Sequence, residues 1–440
     1  MKSYKTPVKC ILFLALLGLC LWLLGGLLKY KESDEQKAPL LKSDEEADVL
    51  LCGSSHMQDN IYPITLWKDF GITSYNVAGS GEELEVTYYV LKELLKSKSP
   101  KAVVVDVFRL HNREQGFDEN AGLIHGSMDF MPFSQDKAEL AEKAAKAHDT
   151  NPISFLSSLY AYHSRWKELT EEDFEPDYNR EKGAVLLSGI YEHERPVFYP
   201  DSFDEEKLTG TGYEYMKKIN NLCQDKNITC IFVNIPYTGV TKARETIKNT
   251  CLREIEKEGA LVLDMNSHID EMGIDYSFDY RDDDGHFNLV GAKKATDFLG
   301  EYLQREAGLE DHRMDEEIAE SWQEAVSVSD EHRLDLAREA TNAVSYVMCG
   351  YEMDDWDISV YISPNVKDKK LPDSILDRVC RELSVPVKTL DEEAAERLLS
   401  DRGEEELSDN EVYIIIKNRD SGEYLDSALF EYKAQQYSKQ

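Results

Sequence analysis

Val49-Leu50-Leu51-Cys52-Gly53-Ser54-Ser55-His56 is the stretch on which the fold of this chain turns. A short run rich in Val and Leu, closed by glycine, reads as a strand covered on both faces. Ending such a strand in Gly-Ser-Ser puts a hydroxyl at the carboxyl edge of a parallel sheet, where open α/β folds place their ligand sites. Outward from this strand, assigned to 47–54, runs of the same character occur at 74–78, 102–107, 228–235 and 260–265. Amphipathic segments lie between them. Leu84, Tyr88, Leu91 and Leu95 recur at helical spacing, with Glu82, Glu85, Lys92 and Lys96 elsewhere around the cylinder. Ala292, Ala295, Leu299 and Tyr302 repeat the device. Strands alternating with helices imply an α/β fold, a doubly wound parallel sheet sandwiched by helices.

Far downstream stands Asp283-Asp284-Gly285-His286, and of ten histidines only His286 has an acidic residue three positions earlier. A serine hydroxyl is a poor nucleophile at neutral pH and needs a base within hydrogen-bond reach. His286 is the candidate base and Asp283 the group that fixes its tautomer. Asp284 competes for that role, and the spacing favours Asp283. Each piece has a plainer reading: Gly-Ser-Ser as a helix-capping turn, Asp-x-x-His as a surface loop, Asn76 as a turn cap. His56 adjoins the nucleophile on a turn, where neighbours point apart, and reads as pocket lining.

These blocks, in this order over roughly residues 46 to 305, resemble the SGNH (GDSL-like) hydrolase superfamily. Within it they are similar to the membrane-anchored SGNH-like proteins of Gram-positive bacteria. The resemblance implies a flavodoxin-like sheet with the nucleophile just after the first strand. The family's Gly-Asp-Ser register selects Ser55 and leaves Ser54 in the usual Asp position. Asn76-Val77-Ala78-Gly79-Ser80-Gly81 corresponds to the second block, which supplies an oxyanion-hole glycine, here Gly81. The backbone N–H groups of Ser55 and Gly81 are the candidate oxyanion donors, a glycine suiting position 81 because no Cβ blocks the substrate. One block departs: Val107-Phe108-Arg109-Leu110 stands where the family has Gly-x-Asn-Asp, so the side-chain donor is unplaced, with Asn112 as the substitute.

The same resemblance implies an acyl-ester hydrolase or acyltransferase acting on a cell-surface glycan or cell-wall polymer without a cofactor. It also implies a membrane-bound O-acyltransferase as partner. The alternative is an inactive module that binds an acylated polymer or that partner. No CxxC or His-rich spacing suggests a metal. A formal charge of −35, from 85 acidic against 50 basic residues, argues against nucleic acid, since phosphate binding needs a basic surface. A neutral glycan or a zwitterionic acyl ester suits this field better than a bare polyanion. Cys223 and Cys251 either pair or remain free buried thiols.

Residues 10–28 are apolar and as a helix span roughly 29 Å, about one hydrocarbon core. Lys2, Lys5 and Lys9 precede the run, while Glu32, Asp34 and Glu35 follow it. The positive-inside rule puts the N-terminus in the cytoplasm and the remainder outside the cell. The expected organisation is an uncleaved transmembrane anchor at 1–30, a charged tether at 31–46 and the hydrolase-like domain at 47–305. A helical insertion at 108–205 is expected as a lid or substrate wall, in which Tyr160, Tyr162 and Trp166 either stack on sugars or pack a small local core. An acidic helical linker at 306–343 leads to a small separate α/β domain at 344–440, where apolar runs stand at 344–348, 358–362 and 412–416, Arg419-Asp420-Ser421-Gly422 is a turn candidate, and helical segments near 373–383 and 391–400 interleave.

Overall fold

Five strands form where the apolar runs stand, each three to six residues long: β1 (Val49–Cys52), β2 (Ser74–Asn76), β3 (Ala102–Asp106), β4 (Thr229–Asn234) and β5 (Leu261–Asp264). The computed structural model describes residues 5–29, 32–43, 45–110, 117, 120–174, 180–204, 210–351, 356–362, 375–389 and 411–431. All five strands are parallel, in the order β2-β1-β3-β4-β5. The chain leaves β1 for β2 on one side and then crosses to β3 on the other. That puts the topological switch between the carboxyl ends of β1 and β3.

Alternate residues feed two cores. Val49, Leu51, Ala102, Val104, Ile231 and Val233 point into one cluster, and Leu50, Cys52, Val103, Val105, Cys230 and Phe232 into the other. Both faces are covered, which is why the strands read as continuous apolar runs instead of alternating ones.

The helices preceding β3 are α1 (Lys5–Leu28), α2 (Glu32–Lys42), α3 (Ser55–Gln58), α4 (Pro63–Phe70) and α5 (Leu84–Leu94). Between β3 and β4 come α6 (Ala121–Met128), α7 (Gln135–Ala147), α8 (Ile153–Leu156), α9 (Ser158–Tyr162) and α10 (Thr211–Asp225). Then follow α11 (Lys242–Lys257), α12 (Ile269–Met272), α13 (Leu289–Glu306), α14 (Glu316–Glu339) and α15 (Ala343–Cys349). Helix α13 buries Ala292, Ala295, Leu299 and Tyr302, the face its periodicity marks.

Helix α5 differs from its pattern. Glu85 on the helix and Glu82 just before it, away from its apolar face, are both buried. The insertion and α10 cover the outer side of α5, and the acids are paired there. Glu82 meets Lys37 at 3.0 Å and accepts from Thr87, and Glu85 meets Lys143 and the Tyr215 hydroxyl.

Two expectations about linkers change for the same reason. The 31–46 segment, charged and aperiodic, reads as a tether. It contains helix α2, whose Lys37, Ala38 and Leu40 are buried. The 306–343 segment holds α14, which packs on α4 with Trp322 stacked on Trp67, ring centroids 5.2 Å apart.

A second sheet, ordered β7-β6-β8-β9, is built from β6 (Trp356–Ile362), β7 (Val387–Thr389), β8 (Glu411–Asn418) and β9 (Tyr424–Glu431). The expected turn at 419–422 joins β8 to β9, and the helix Ile375–Glu382 lies where one is expected near 373–383. The helix expected at 391–400 falls outside the described residues. Val344–Met348, grouped with the strand runs by its apolar character, lies in α15. The 344–440 segment reads as a separate unit. Instead, Val360, Ile414 and Ile416 belong to the same continuous buried cluster as Val49 and Leu51, with α15 between the sheets.

Lys37–Glu82 gives a direct measure of how firmly α2 is docked. Removing one partner of a buried ion pair strands a charge, at about 3–5 kcal/mol. Lys37→Ala should therefore lower the urea midpoint strongly. Lys37→Met combined with Glu82→Gln should recover much of that loss. A Lys37→Ala protein as stable as the parent would mean that α2 is detached.

Candidate functional site

Gly53 adopts φ +123°, and a Cβ there would lie 2.2 Å from Asp106 Oδ2. Only glycine lets β1 turn this sharply while leaving room for a carboxylate from β3. Asp106 fills that room. Its Oδ2 accepts from the Ser54 N–H at 2.5 Å, and its Oδ1 accepts from the Ser54 hydroxyl at 3.3 Å and the Phe108 N–H at 2.7 Å. Burial pushes the Asp106 carboxyl up, opposed by these hydrogen bonds. Ser54 in turn caps α3, its Oγ accepting from the His56 N–H. Ser54 is thus held inside the turn, and Ser55 is the serine left to face outward.

His286 Nε2 lies 2.8 Å from Ser55 Oγ, and His286 Nδ1 lies 2.8 Å from Asp282 Oδ2. The spacing argument names Asp283, and the structure corrects it by one residue. Gly285 at φ +89° folds the loop back, so position 282 meets the ring, while Asp283 and Asp284 make no hydrogen bond to it. Asp282 Oδ1 also accepts from the N–H groups of Asp284, Gly285 and His286, which locks the carboxylate in the turn. The loop is closed by a bridge between Tyr280 and Phe287, with Arg281 N–H donating to the His286 carbonyl.

Charge follows geometry. Burial disfavours a charged His286, but the bond to Asp282 and the carboxylates of Asp59, Asp282 and Asp284 outweigh it and hold the ring above the usual imidazole value. Burial likewise pushes Asp282 up, and His286 with the loop N–H groups overcomes this, leaving it below the ordinary carboxylate range. Asp59 Oδ2 stands 3.8 Å from His286 Nε2, one helical turn beyond Ser55.

His56 does not line a pocket. It is fully buried, stacked on Phe108 at 3.5 Å and 4.9 Å from the His286 ring. Burial first, then the positive charges of His286, Lys248 and Arg244, keep it well below the imidazole value, hence neutral. Lys248, also buried, sits 3.6 Å from the Tyr237 ring centroid, and burial lowers it to about 7.

Gly81 needs to be glycine for a reason besides the one expected. Its φ is +63°, and a Cβ would lie 2.5 Å from Leu123 Cδ1 of the insertion. Among the described residues, neither the Ser55 nor the Gly81 backbone N–H donates to a protein acceptor. Asn112 lies outside the described residues. Asn76 is internal bracing: its amide donates to the Met57 and Ile61 carbonyls and accepts from the Ala78 N–H. The insertion touches this rim through Leu123. Its aromatics Tyr160 and Trp166 are exposed, and Phe155 takes the core position.

Sequence reading misses Asp106, Asp59 and Asp282. An acid closing the run Ala102-Val103-Val104-Val105-Asp106, at the carboxyl edge beside the switch point, is a usable signal for the first. Asp59 and Asp282 both stand four residues from a site residue, which only a known local turn makes meaningful. Among the described residues, no group of three or more His, Cys, Asp or Glu is placed to hold a metal ion, and the eight cysteines are free thiols. No protein-family model matches this chain, and no curated protein matches it.

The carboxylate assignment is checked by following the His286 ring through a pH titration by NMR. Asp282→Asn removes the charge that favours the imidazolium, so the His286 pKa should fall. Asp283→Asn should leave it nearly unchanged. The reverse pattern would restore Asp283 as the partner.

Proposed function

We propose that this chain is a membrane-anchored SGNH-like serine hydrolase or acyltransferase working on acyl esters outside the cell. The observation that carries the reading is the continuous relay from Ser55 Oγ to His286 Nε2 and from His286 Nδ1 to Asp282, at the carboxyl edge of a parallel sheet. In this reading His286 takes the Ser55 proton as Oγ attacks the ester carbonyl carbon. The carbonyl oxygen becomes an oxyanion, and the Ser55 and Gly81 N–H groups are the donors offered to it, each such donor being worth roughly 2.7–4 kcal/mol. Collapse expels the alcohol, which receives the proton from His286, and leaves acyl-Ser55. Water or an acceptor hydroxyl, deprotonated by His286, then releases the acyl group. Asp282 and Asp59 together favour the imidazolium formed in each half.

The substrate in this proposal is an acylated cell-surface glycan or cell-wall polymer, with a membrane-bound O-acyltransferase as partner. Among the described residues one helix, Val8–Leu28, is long and apolar enough to cross a membrane. Lysines before it and acids after it favour a cytoplasmic N-terminus. The alternative, a binding module without turnover, draws on the absent third-block amide.

A fluorophosphonate probe should label the wild type, lose its target in Ser55→Ala and keep it in Ser54→Ala. The second variant should cost about 1 kcal/mol of stability through the lost helix cap. Turnover of p-nitrophenyl acetate should rise with pH along a limb above the reference imidazole value of about 6.5, because the base must be neutral and its pKa is raised. Asp282→Asn should move that limb to lower pH and cut the rate by a factor on the order of 10⁴. Acceleration by added glycan acceptor favours transfer, and indifference favours hydrolysis. A wild type that neither reacts with the probe nor turns over ester, with acceptor or without, would leave the binding module standing.

A further inference from the structure

The apolar helix does not leave the protein through a flexible joint. Arg165, next to α9, donates through Nη1 to the carbonyls of Leu28 at 3.1 Å and Lys29 at 3.0 Å, capping the end of α1. The same guanidinium is held by Asp173 through Nη2. Lys29 is buried and its Nζ donates to the Asp129 carbonyl at 2.7 Å. The α-carbon face of Gly25 rests against Leu159, where an added Cβ would stand 3.6 Å from the Leu159 backbone N. These contacts from the helical insertion fix the angle and height at which α1 meets the domain.

That height falls short of a bilayer. Residues 8–24 of α1 are exposed, and contact with the insertion begins at Gly25. Seventeen residues rise about 26 Å, against a hydrocarbon core of about 30 Å. The remaining turn, 25–28, rests against the insertion on one side, with Gly25 and Leu28 buried and Gly26 exposed. A cleft of about 750 Å³ lies there, walled on one side by Leu21, Trp22 and Leu27 and on the other by Phe133, Leu159 and Phe174, with Lys29, Asp129 and Asp173 lining its polar part. Phe133 and Phe174 line this cleft, Tyr160 follows Leu159 and Trp166 follows Arg165, both of which meet α1, and all four aromatic side chains are exposed. Phe133 is 82% exposed, Trp166 63%, Phe174 63% and Tyr160 56%. On a chain with a net charge of −35 the rest of the surface is strongly hydrated, so an apolar patch beside an apolar helix marks an interaction face. Aromatic residues at this level match the interfacial belt that flanks membrane spans.

We propose that the underside of the insertion is a membrane-docking face, with Phe133, Tyr160, Trp166 and Phe174 seated among the phospholipids of the outer leaflet around α1. The domain then sits on the bilayer instead of being held off it. The inference rests on α1 crossing the membrane and is independent of the serine chemistry.

The test uses the full chain in phosphatidylcholine–phosphatidylglycerol vesicles whose acyl chains carry bromine near the headgroup end. In a Trp22→Phe, Trp166→Phe background, Phe133→Trp and Phe174→Trp each add an emitter at the proposed face. Val387→Trp adds one on β7, in the second sheet. Both exposed phenylalanines tolerate the exchange, so folding is not at stake. The expected result is that bromination removes the added emission of the Phe133→Trp and Phe174→Trp proteins and spares that of Val387→Trp. Equal quenching in all three variants overturns the proposal. So does a concentration-dependent blue shift without quenching, which would assign the face to a second copy of the chain. Quenching of Trp22 in a Trp166→Phe protein separates the two failures. If Trp22 is quenched and the emitters at positions 133 and 174 are not, only the docking face falls. If Trp22 is spared, the span itself falls with it.

Discussion

Asp106 reaching from the end of β3 to the turn after β1 is the contact on which the site depends. It joins the two strands that flank the topological switch, so the turn carrying Ser54 and Ser55 inherits the rigidity of the sheet. The arrangement needs three residues at once: a carboxylate at 106, a hydroxyl and N–H at Ser54 to receive it, and the absence of a side chain at Gly53. Ser54 is consumed by this bracing, and its neighbour Ser55 is the group that faces His286.

The second half of the site is built by a loop that satisfies itself. Asp282 bonds three backbone N–H groups and the His286 ring, so one side chain shapes the turn and orients the imidazole. The first strand's turn and this loop are 231 positions apart in sequence, and they meet because α13 begins shortly after His286 and packs back along the sheet. Asn288 caps that helix and also donates to the Gly189 and Phe278 carbonyls. Below them His56 is kept neutral by burial beside three cations, so the ring under His286 adds no charge to it.

The charged segments show how burial rearranges an acidic chain. Glu82, Glu85, Glu93 and Asp136 are all buried, each paired with a lysine, and the pairs join α2, the insertion and α5 into one layer. Such pairs add little net stability over apolar packing, because desolvation offsets most of the attraction. Their effect here is positional: α5 cannot carry its acids inward unless α2 and α7 arrive with their lysines. The same layer holds the end of α1.

Sequence alone determined the five parallel strands, the helical faces of α13 and much of α5, the apolar helix and the turn at 419–422. Each is set by local periodicity, by composition or by a turn residue with one feasible backbone conformation. Tertiary structure decided the rest. Whether Asp282 or Asp283 faces His286 depended on a left-handed glycine whose rotation shifts the loop by one residue. Whether 32–42 is a tether or a docked helix depended on Glu82, a partner 45 positions from Lys37. That the second sheet shares the first core depended on α15 bridging them, which an apolar run of seven residues does not announce. A sequence records which groups are charged or apolar. The partner each one meets, and hence whether it is buried, is fixed only when distant segments are brought together.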